Sequence, residues 1–126
     1  MNGLHLTADL TGCADTALLV DQHALAHHCR MTTEAAGLTV VGEHWHRFPD
    51  SPDGQPGGIT GMLLLAESHV ALHTWPELAA VTLDVYVCNY GADNSGKANA
   101  LMTHLVEHFR AGQVQWQQLQ RGQLAG

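Results

Sequence analysis

The sequence predicts an α+β two-layer sandwich, a mainly antiparallel sheet with two helices on one face. Three observations lead to this fold class: strand-like segments follow one another between two helical segments, several of them alternate apolar and polar residues, and one helical segment has a single apolar stripe. The length of 126 residues, 45% of them apolar, suits a single domain spanning residues 1–126. Because two helices cover only one face of a sheet, we expect the other face or an edge to form a dimer interface.

The chain begins with a strand and a helix. Residues 4–10 alternate apolar with polar side chains, which predicts a half-buried strand that ends at the turn residue Gly12. An Ala- and Leu-rich segment then runs from Asp15, a predicted N-cap, to Ala36, which is about six helical turns. Gly37 supplies the residue that follows the helix.

Four strand-like segments follow. Residues 38–48 carry β-branched and aromatic side chains, and a loop of Pro, Asp, Gly and Ser residues over 49–58 ends this strand. Residues 59–66 form a nearly continuous apolar run of strand length, residues 70–73 begin another strand, and residues 81–87 alternate cleanly.

The second helix has the clearest pattern in the chain. Asp93, Asn94 and Ser95 offer an N-cap, and apolar residues then recur at i, i+3, i+4, i+7, i+8 and i+11. Gly112 is predicted to end the helix, and residues 114–119 suggest a last strand. The apolar stripe consists of Ala98, Leu101, Met102, Leu105, Val106 and Phe109.

The composition excludes several classes of function. Twelve acidic against five scattered basic side chains give a net charge of −7, which argues against binding a nucleic-acid backbone. No apolar run approaches the roughly 20 residues of a membrane helix, and no basic and then apolar leader opens the chain, so we expect a cytoplasmic protein without a membrane segment. Three widely spaced cysteines fit neither a disulfide framework nor a four-cysteine zinc site.

Polar and aromatic side chains interrupt the apolar stretch 59–88, where polar groups are costly to bury unless they are satisfied or used. They are Thr60, Glu67, Ser68, His69, His73, Trp75, Glu77, Asp84 and Cys88. Taken together they predict a functional site, and three chemistries suit such residues.

The first two chemistries are a serine hydrolase and a metal site. A hydrolase would use Ser68 as nucleophile and Asp84 to orient the base, either His69 or His73, but the Gly-x-Ser-x-Gly elbow is missing. A metal site would draw on the ten histidines, which offer two candidate pairs. The pair on the second helix lies outside its apolar stripe, which is typical of a solvated helix face. The candidate pairs are His44 with His46 and, at i, i+4 spacing, His104 with His108.

The third chemistry is self-cleavage of the chain. The hydroxyl of Ser68 would attack the carbonyl of Glu67 and move the acyl group from nitrogen to oxygen. Elimination of that ester would cut the chain and leave residue 68 as a terminal dehydroalanine. Hydrolysis of the dehydroalanine gives a pyruvoyl group, a ketone that serves as an electron sink.

The segment from Ala66 to Glu77, AESHVALHTWPE, resembles the signature Glu-Ser-His-x-x-x-His-(Thr/Ser)-(Trp/Phe)-Pro-Glu of the prokaryotic S-adenosylmethionine decarboxylase proenzymes, which are pyruvoyl-dependent. The resemblance covers nearly the whole chain and includes further motifs. They are Gly3-Leu4-His5-Leu6, Gly12-Cys13, His46-Arg47-Phe48, Leu83-Asp84-Val85-Tyr86-Val87-Cys88 and Arg121-Gly122.

The resemblance implies a precursor that cuts itself between Glu67 and Ser68. Ser68 would become a covalent pyruvoyl group that binds the substrate amine as a Schiff base. His73 matches the histidine that removes the α-proton of the serine during processing, and Thr60 stands where relatives have a serine that hydrogen-bonds the cyclic intermediate. The products would be a β chain of residues 1–67 and an α chain of residues 68–126.

The resemblance also implies roles in turnover. Cys88 matches the general acid that protonates the carbanion after CO₂ leaves. Phe48 and Trp75 match the aromatic residues that hold the adenine ring, and Glu77 matches the carboxylate that binds the ribose hydroxyls. Asp9 stands where relatives commonly have glutamate and is a weaker candidate for substrate binding.

The sequence departs from the family at positions that affect the substrate side more than the processing side. Val87 replaces a threonine, Asn89 a glycine, and residues 78–80 a segment rich in Gly and Tyr, while the loop 49–58 is longer than usual. The function implied is decarboxylation of S-adenosylmethionine for polyamine (spermidine) synthesis by a homodimer of processed protomers. The alternatives are a pyruvoyl-dependent decarboxylase of arginine or ornithine, whose positive charge suits the acidic chain equally well, and a non-catalytic homologue.

Overall fold

A computed structural model describes residues 2–122 as one six-stranded antiparallel sheet with two helices. The strand order is β2-β3-β4-β5-β1-β6, and the prediction of an α+β two-layer sandwich is confirmed. The elements are β1 Gly3–Thr11, α1 Gln22–Ala35, β2 Val40–Arg47, β3 Ile59–Leu65, β4 Ser68–Trp75, β5 Ala80–Cys88, α2 Ser95–Phe109 and β6 Gln113–Arg121. No helix among residues 2–122 is long and apolar enough to cross a membrane.

The core lies between the helices and one face of the sheet. Alternate residues of β1 are buried, from Leu4 to Leu10, and those of β5 are buried from Val81 to Val87. The apolar stripe of α2 packs on them as predicted, with Phe109 only 1% exposed. Burial of so many aliphatic side chains is the main favourable term in folding.

The opposite sheet face, which we call the open face, carries the residues that alternate with the core positions. No helix among residues 2–122 covers it. Several of its apolar side chains are exposed, such as Met62 (39%) and Leu64 (49%). Its chemistry-bearing residues are His5, Asp9, His44, His46, Thr60, His69, His73, Trp75, Asp84, Tyr86, Cys88 and Arg121.

The predicted start of the first helix is wrong. Asp15 instead caps a short 3₁₀ turn, where its carboxylate accepts the Leu18 N–H at 3.3 Å. The α-helix begins only at Gln22, because Asp21 is extended and its carboxylate accepts the Ala24 N–H at 3.0 Å. Two aspartates six residues apart can both act as caps, and the sequence pattern did not separate them.

The second helix also ends earlier than predicted. It stops at Phe109, and the left-handed residue that closes it is Arg110, with φ of 49°, rather than Gly112. A side chain in this conformation is strained by roughly 1–2 kcal/mol relative to glycine. The first helix, in contrast, is followed as predicted by a left-handed glycine, Gly37, with φ of 90°.

We expect Arg110→Gly to stabilise the protein by about 1 kcal/mol, since glycine adopts a positive φ without a steric penalty. Urea unfolding at a fixed protein concentration measures the change in the free energy of unfolding. Arg110→Ala is the matched control, because it removes the same charge but keeps the Cβ atom. An equal gain from both substitutions would assign the effect to charge instead of backbone strain.

Candidate active site

The predicted cleavage site lies in the tight hairpin between β3 and β4. Leu65 pairs with Ser68, so the turn consists of only Ala66 and Glu67. Glu67 has φ of 55°, and it is one of the few residues other than glycine with a positive φ in the described chain. Such a turn favours glycine at this position, and glutamate there carries of order 1–3 kcal/mol of strain. The strained residue is the one whose carbonyl is bonded to Ser68.

Ser68 and Cys88 are neighbours across the β4–β5 pair. The backbone N–H of Cys88 donates to the Ser68 Oγ at 3.0 Å. The Cys88 side chain is 7% exposed, and its carbonyl accepts a hydrogen bond from the Asn94 side chain at 2.9 Å. The Ser68 hydroxyl is therefore held in place at the end of the sheet by the backbone of a buried cysteine.

A cavity of about 370 Å³ opens at this point of the sheet. We call this region the serine end. The cavity is lined by Met62, Leu64, Leu65, Glu67, Ser68, His69, Tyr86 and Arg121.

His69 of the serine end and the nearby His5 belong to a polar network on the open face. The His69 ring stacks on the Tyr86 ring at a centroid distance of 5.6 Å, and His5 Nε2 lies 3.0 Å from Asp84 Oδ1. Burial, and then the nearby His5, lower the pKa of His69, which favours the neutral form of its ring. Because Asp84 hydrogen-bonds His5, the structure does not form the hydrolase triad that the sequence left open.

The other end of the open face, which we call the aromatic end, consists of Phe48, Thr60, His73 and Trp75. Thr60 and His73 pair across β3 and β4, with 2.9 Å between Oγ1 and Nδ1. The His73 and Trp75 rings lie 5.8 Å apart. Phe48 is 49% and Trp75 38% exposed, so part of each residue is accessible to a ligand or a partner surface.

Two further predicted residues lie at the aromatic end of the sheet. Glu77 is exposed in the 3₁₀ turn that follows β4 directly. Asp9 pairs with Thr82, which pairs in turn with His73, so Asp9 lies two strands, roughly 10 Å, from that histidine. Neither carboxylate is at the serine end.

The two ends are too far apart to form one site within a single chain. Ser68 and His73 are both on β4, five residues apart, which corresponds to roughly 16 Å in an extended strand. Strand alternation places Ser68 in register with the core-facing Leu65, but as the first residue of β4 it also lines the cavity that opens among Met62, Leu64 and His69. The structure thus brings Ser68 to Cys88 and His73 to Thr60 and Trp75, but it does not bring His73 to Ser68.

The candidate metal-binding histidines are also separated. His44 and His46 are on the open face of β2, whereas His104 and His108 are on α2. His108 contacts α1 through Thr32, with 3.2 Å between Nε2 and Oγ1. Within residues 2–122 no group of three or more His, Cys, Asp or Glu side chains could hold a metal ion.

The sequence did not single out Tyr86 and Arg121 as members of the site. Tyr86 was part of a strand motif and Arg121 part of a C-terminal pair. A local signal existed for Tyr86, since strand alternation places it on the same face as Cys88. Arg121 reaches the serine end only because β6 pairs with β1, a long-range contact that the sequence pattern does not reveal.

Comparisons with known proteins agree with this architecture. The sequence profile described as S-adenosylmethionine decarboxylase matches residues 4–122. The "S-adenosylmethionine decarboxylase proenzyme" of Aquifex aeolicus is 33% identical over 120 residues, which cover 95% of this chain and 81% of that protein. The proenzyme of the same name from Acidithiobacillus ferrooxidans is 34% identical over 122 residues, with 97% and 84% covered.

A solved structure extends the similarity to three dimensions. The crystal structure of the adenosylmethionine decarboxylase from Aquifex aeolicus superposes with a TM-score of 0.83 at 31% sequence identity. The match covers 98% of this chain and 92% of that one. The six-stranded sheet and its two helices are therefore shared over nearly their full extent.

Proposed function

Because the chain belongs to the S-adenosylmethionine decarboxylase family, we propose that it is a proenzyme that cuts itself at Ser68 and then decarboxylates S-adenosylmethionine. The observation that carries the proposal is the strained backbone of Glu67, whose carbonyl is bonded to Ser68, beside a cavity and the backbone of the buried residue Cys88. The product would supply the aminopropyl donor for polyamine synthesis. The compartment we propose for this reaction is the cytoplasm.

Self-cleavage requires a nucleophile, a strained acyl group and a base. The Ser68 hydroxyl adds to the carbonyl carbon of Glu67, and the C–N bond breaks to give an ester and a free amine. A base then removes the α-proton of Ser68, the electron pair forms a Cα=Cβ double bond, and the Cβ–Oγ bond breaks to release the Glu67 carboxylate. Water hydrolyses the resulting enamine through its imine tautomer, which releases ammonia and leaves a ketone.

The position of Ser68 suits the pyruvoyl group that these steps would form. Residue 68 lies at the start of β4 and lines the cavity, so a ketone there would meet a substrate amine. A pyruvoyl group supplies an electrophilic carbonyl and accepts the electron pair that CO₂ leaves behind. Cys88 is the residue we assign to return a proton to the substrate carbon, since its buried side chain belongs to the strand beside Ser68.

A second copy of the chain completes the site in this proposal. A two-fold axis that lies between two open faces and runs perpendicular to the strands would place the serine end of one copy over the aromatic end of the other. The exposed apolar side chains of the open face, such as Met62 and Leu64, would then be buried. His73 of one copy would act as the base for Ser68 of the other, with Thr60 fixing its ring through Nδ1.

The same packing would bring a substrate site to the pyruvoyl position. Phe48 and Trp75 offer flat faces for the adenine ring and for a sulfonium cation. Glu77, exposed in the turn that follows Trp75, is the residue we assign to accept hydrogen bonds from ribose hydroxyls. Asp9 lies at the same end of the sheet, and we assign it no contact with the substrate.

Two measurements test the proposed function. Denaturing mass spectrometry should find two fragments that meet between residues 67 and 68, with the C-terminal one carrying a ketone in place of the serine amine. The purified protein should then release CO₂ from carboxyl-labelled S-adenosylmethionine. An intact chain would contradict both processing and activity, and CO₂ from arginine or ornithine alone would replace the substrate with a basic amino acid.

Cys88→Ala should leave self-cleavage intact and reduce turnover by about 10²- to 10⁴-fold, the usual contribution of a positioned general acid. Its backbone N–H still donates to Ser68, because the substitution does not touch that group. Fragment masses report cleavage, and labelled CO₂ reports turnover. Cys29→Ala is the matched control, because Cys29 is equally buried but lies in the helix layer. Normal turnover by Cys88→Ala would remove the thiol from the acid role.

A further inference from the structure

Arg121 is a cation at the serine end to which neither the fold nor the proposed turnover assigns a role. It lies at the end of β6, opposite Gly3, which is itself opposite Cys88. Arg121 lines the cavity together with Glu67 and Ser68. Within residues 2–122 no carboxylate lies within ion-pair distance of it.

The Tyr86 ring positions this guanidinium. The Arg121 Cζ lies 5.7 Å from the ring centroid, a cation–π geometry. Tyr86 reaches across β1 because Gly3 has no side chain there, and a Cβ atom at Gly3 would lie 2.6 Å from the tyrosine hydroxyl. His69 stacks on the same Tyr86 ring. The ring contact thus places the exposed Arg121 side chain on the open face, beside the cavity that Glu67 and Ser68 also line.

We propose that Arg121 is a catalytic residue of self-cleavage that binds the carboxylate released by Glu67. The inference rests on the proposed function and adds a residue to it. In the elimination step the Cβ–Oγ bond of Ser68 breaks, and its electron pair is shared between the two oxygens of the new Glu67 carboxylate, the former carbonyl oxygen and the former Ser68 Oγ. A guanidinium offers two parallel N–H donors to such a group, and it stabilises charge that is absent before this step.

A role in holding the carboxylate of the substrate fits the chemistry less well. That carboxylate must lose its charge as CO₂ leaves, so a paired arginine would stabilise the ground state more than the transition state. The leaving carboxylate of Glu67 gains charge during its reaction. The arginine therefore accelerates elimination and, after cleavage, holds the new C-terminus of the β chain by an ion pair.

The test follows cleavage in time after a short cell-free synthesis of the precursor, with intact mass as the readout. Arg121→Gln should slow cleavage by about tenfold or more, as expected for loss of a charge-assisted contact at the reacting oxygens. Because elimination and not acyl transfer is slowed, the ester should accumulate. Hydroxylamine cleaves that ester and leaves an α fragment that starts with an ordinary serine, whereas completed elimination leaves a ketone.

Two variants complete the design. Arg121→Lys retains the positive charge and should restore much of the rate, and Arg110→Gln removes an equivalent charge from the end of α2 and should cleave normally. Accumulation of ester also shows that the hairpin has folded, because acyl transfer needs its geometry. Cleavage of Arg121→Gln at the normal rate, or slow cleavage without ester, would overturn the role. Failure of the unsubstituted chain to cleave would instead overturn the proposed function.

Discussion

Ser68→Ala is expected to remain a single chain of 126 residues and to release no CO₂ from S-adenosylmethionine. Alanine has no oxygen to take over the acyl group of Glu67, and no leaving group at Cβ, so neither acyl transfer nor elimination occurs. The effect on cleavage is therefore complete rather than partial. Mass spectrometry of the denatured protein measures it directly.

The loss of the hydroxyl also leaves the Cys88 N–H without its acceptor, which costs roughly 1–3 kcal/mol if no water replaces it. Circular dichroism should therefore still report a folded protein with somewhat lower stability. Ser51→Ala, in the exposed loop between β2 and β3, is the matched control and should cleave normally. Cleavage of Ser68→Ala at the same bond would exclude the serine as nucleophile.

The fold could be predicted from the sequence wherever local periodicity determines the structure. Residues 81–87 alternate because one face of β5 packs on the helices, and the stripe of α2 is the counterpart of that face. Helix ends were less predictable, since two aspartates compete to cap the first helix and an arginine takes the left-handed position that glycine usually fills. The strand order and its registers depend on long-range pairing, which no local pattern encodes.

The site could be predicted as a set of residues but not as a geometry. The resemblance identified Ser68 and His73, and their spacing of five residues on one strand already implied a separation of roughly 16 Å. A role for both in one reaction then requires two copies of the chain. The prediction of a dimer, made from an uncovered sheet face, and the separation of the two ends are thus independent reasons for the same assembly.

His73→Ala should cleave about 10²- to 10⁴-fold more slowly than the unsubstituted chain, because it removes the base of the elimination step. His23→Ala, at an exposed position on α1, is the matched control and should cleave normally. The stronger expectation concerns the two inactive variants together. When Ser68→Ala and His73→Ala chains are synthesised together in equal amounts, rapid cleavage should return to the His73→Ala chains.

The reason is geometric. In a mixed dimer one of the two sites combines the Ser68 of the His73→Ala chain with the His73 of the Ser68→Ala chain, while the other site lacks both groups. Random pairing places about half of the His73→Ala chains in mixed dimers, so about half of them should be cut. The α fragment should carry alanine at position 73 and a terminal ketone, which its mass identifies.

Two results would contradict a site shared between two chains. If mixed dimers are recovered through a tag on one variant and neither chain is cut, Ser68 and His73 do not meet across an interface. If His73→Ala cleaves normally by itself, another group is the base, and His69 is the next candidate because it directly follows Ser68 on β4. Restored cleavage would mean that the second chain supplies the His73 side chain. Within one chain β4 holds His73 roughly 16 Å from Ser68, the length of five extended residues.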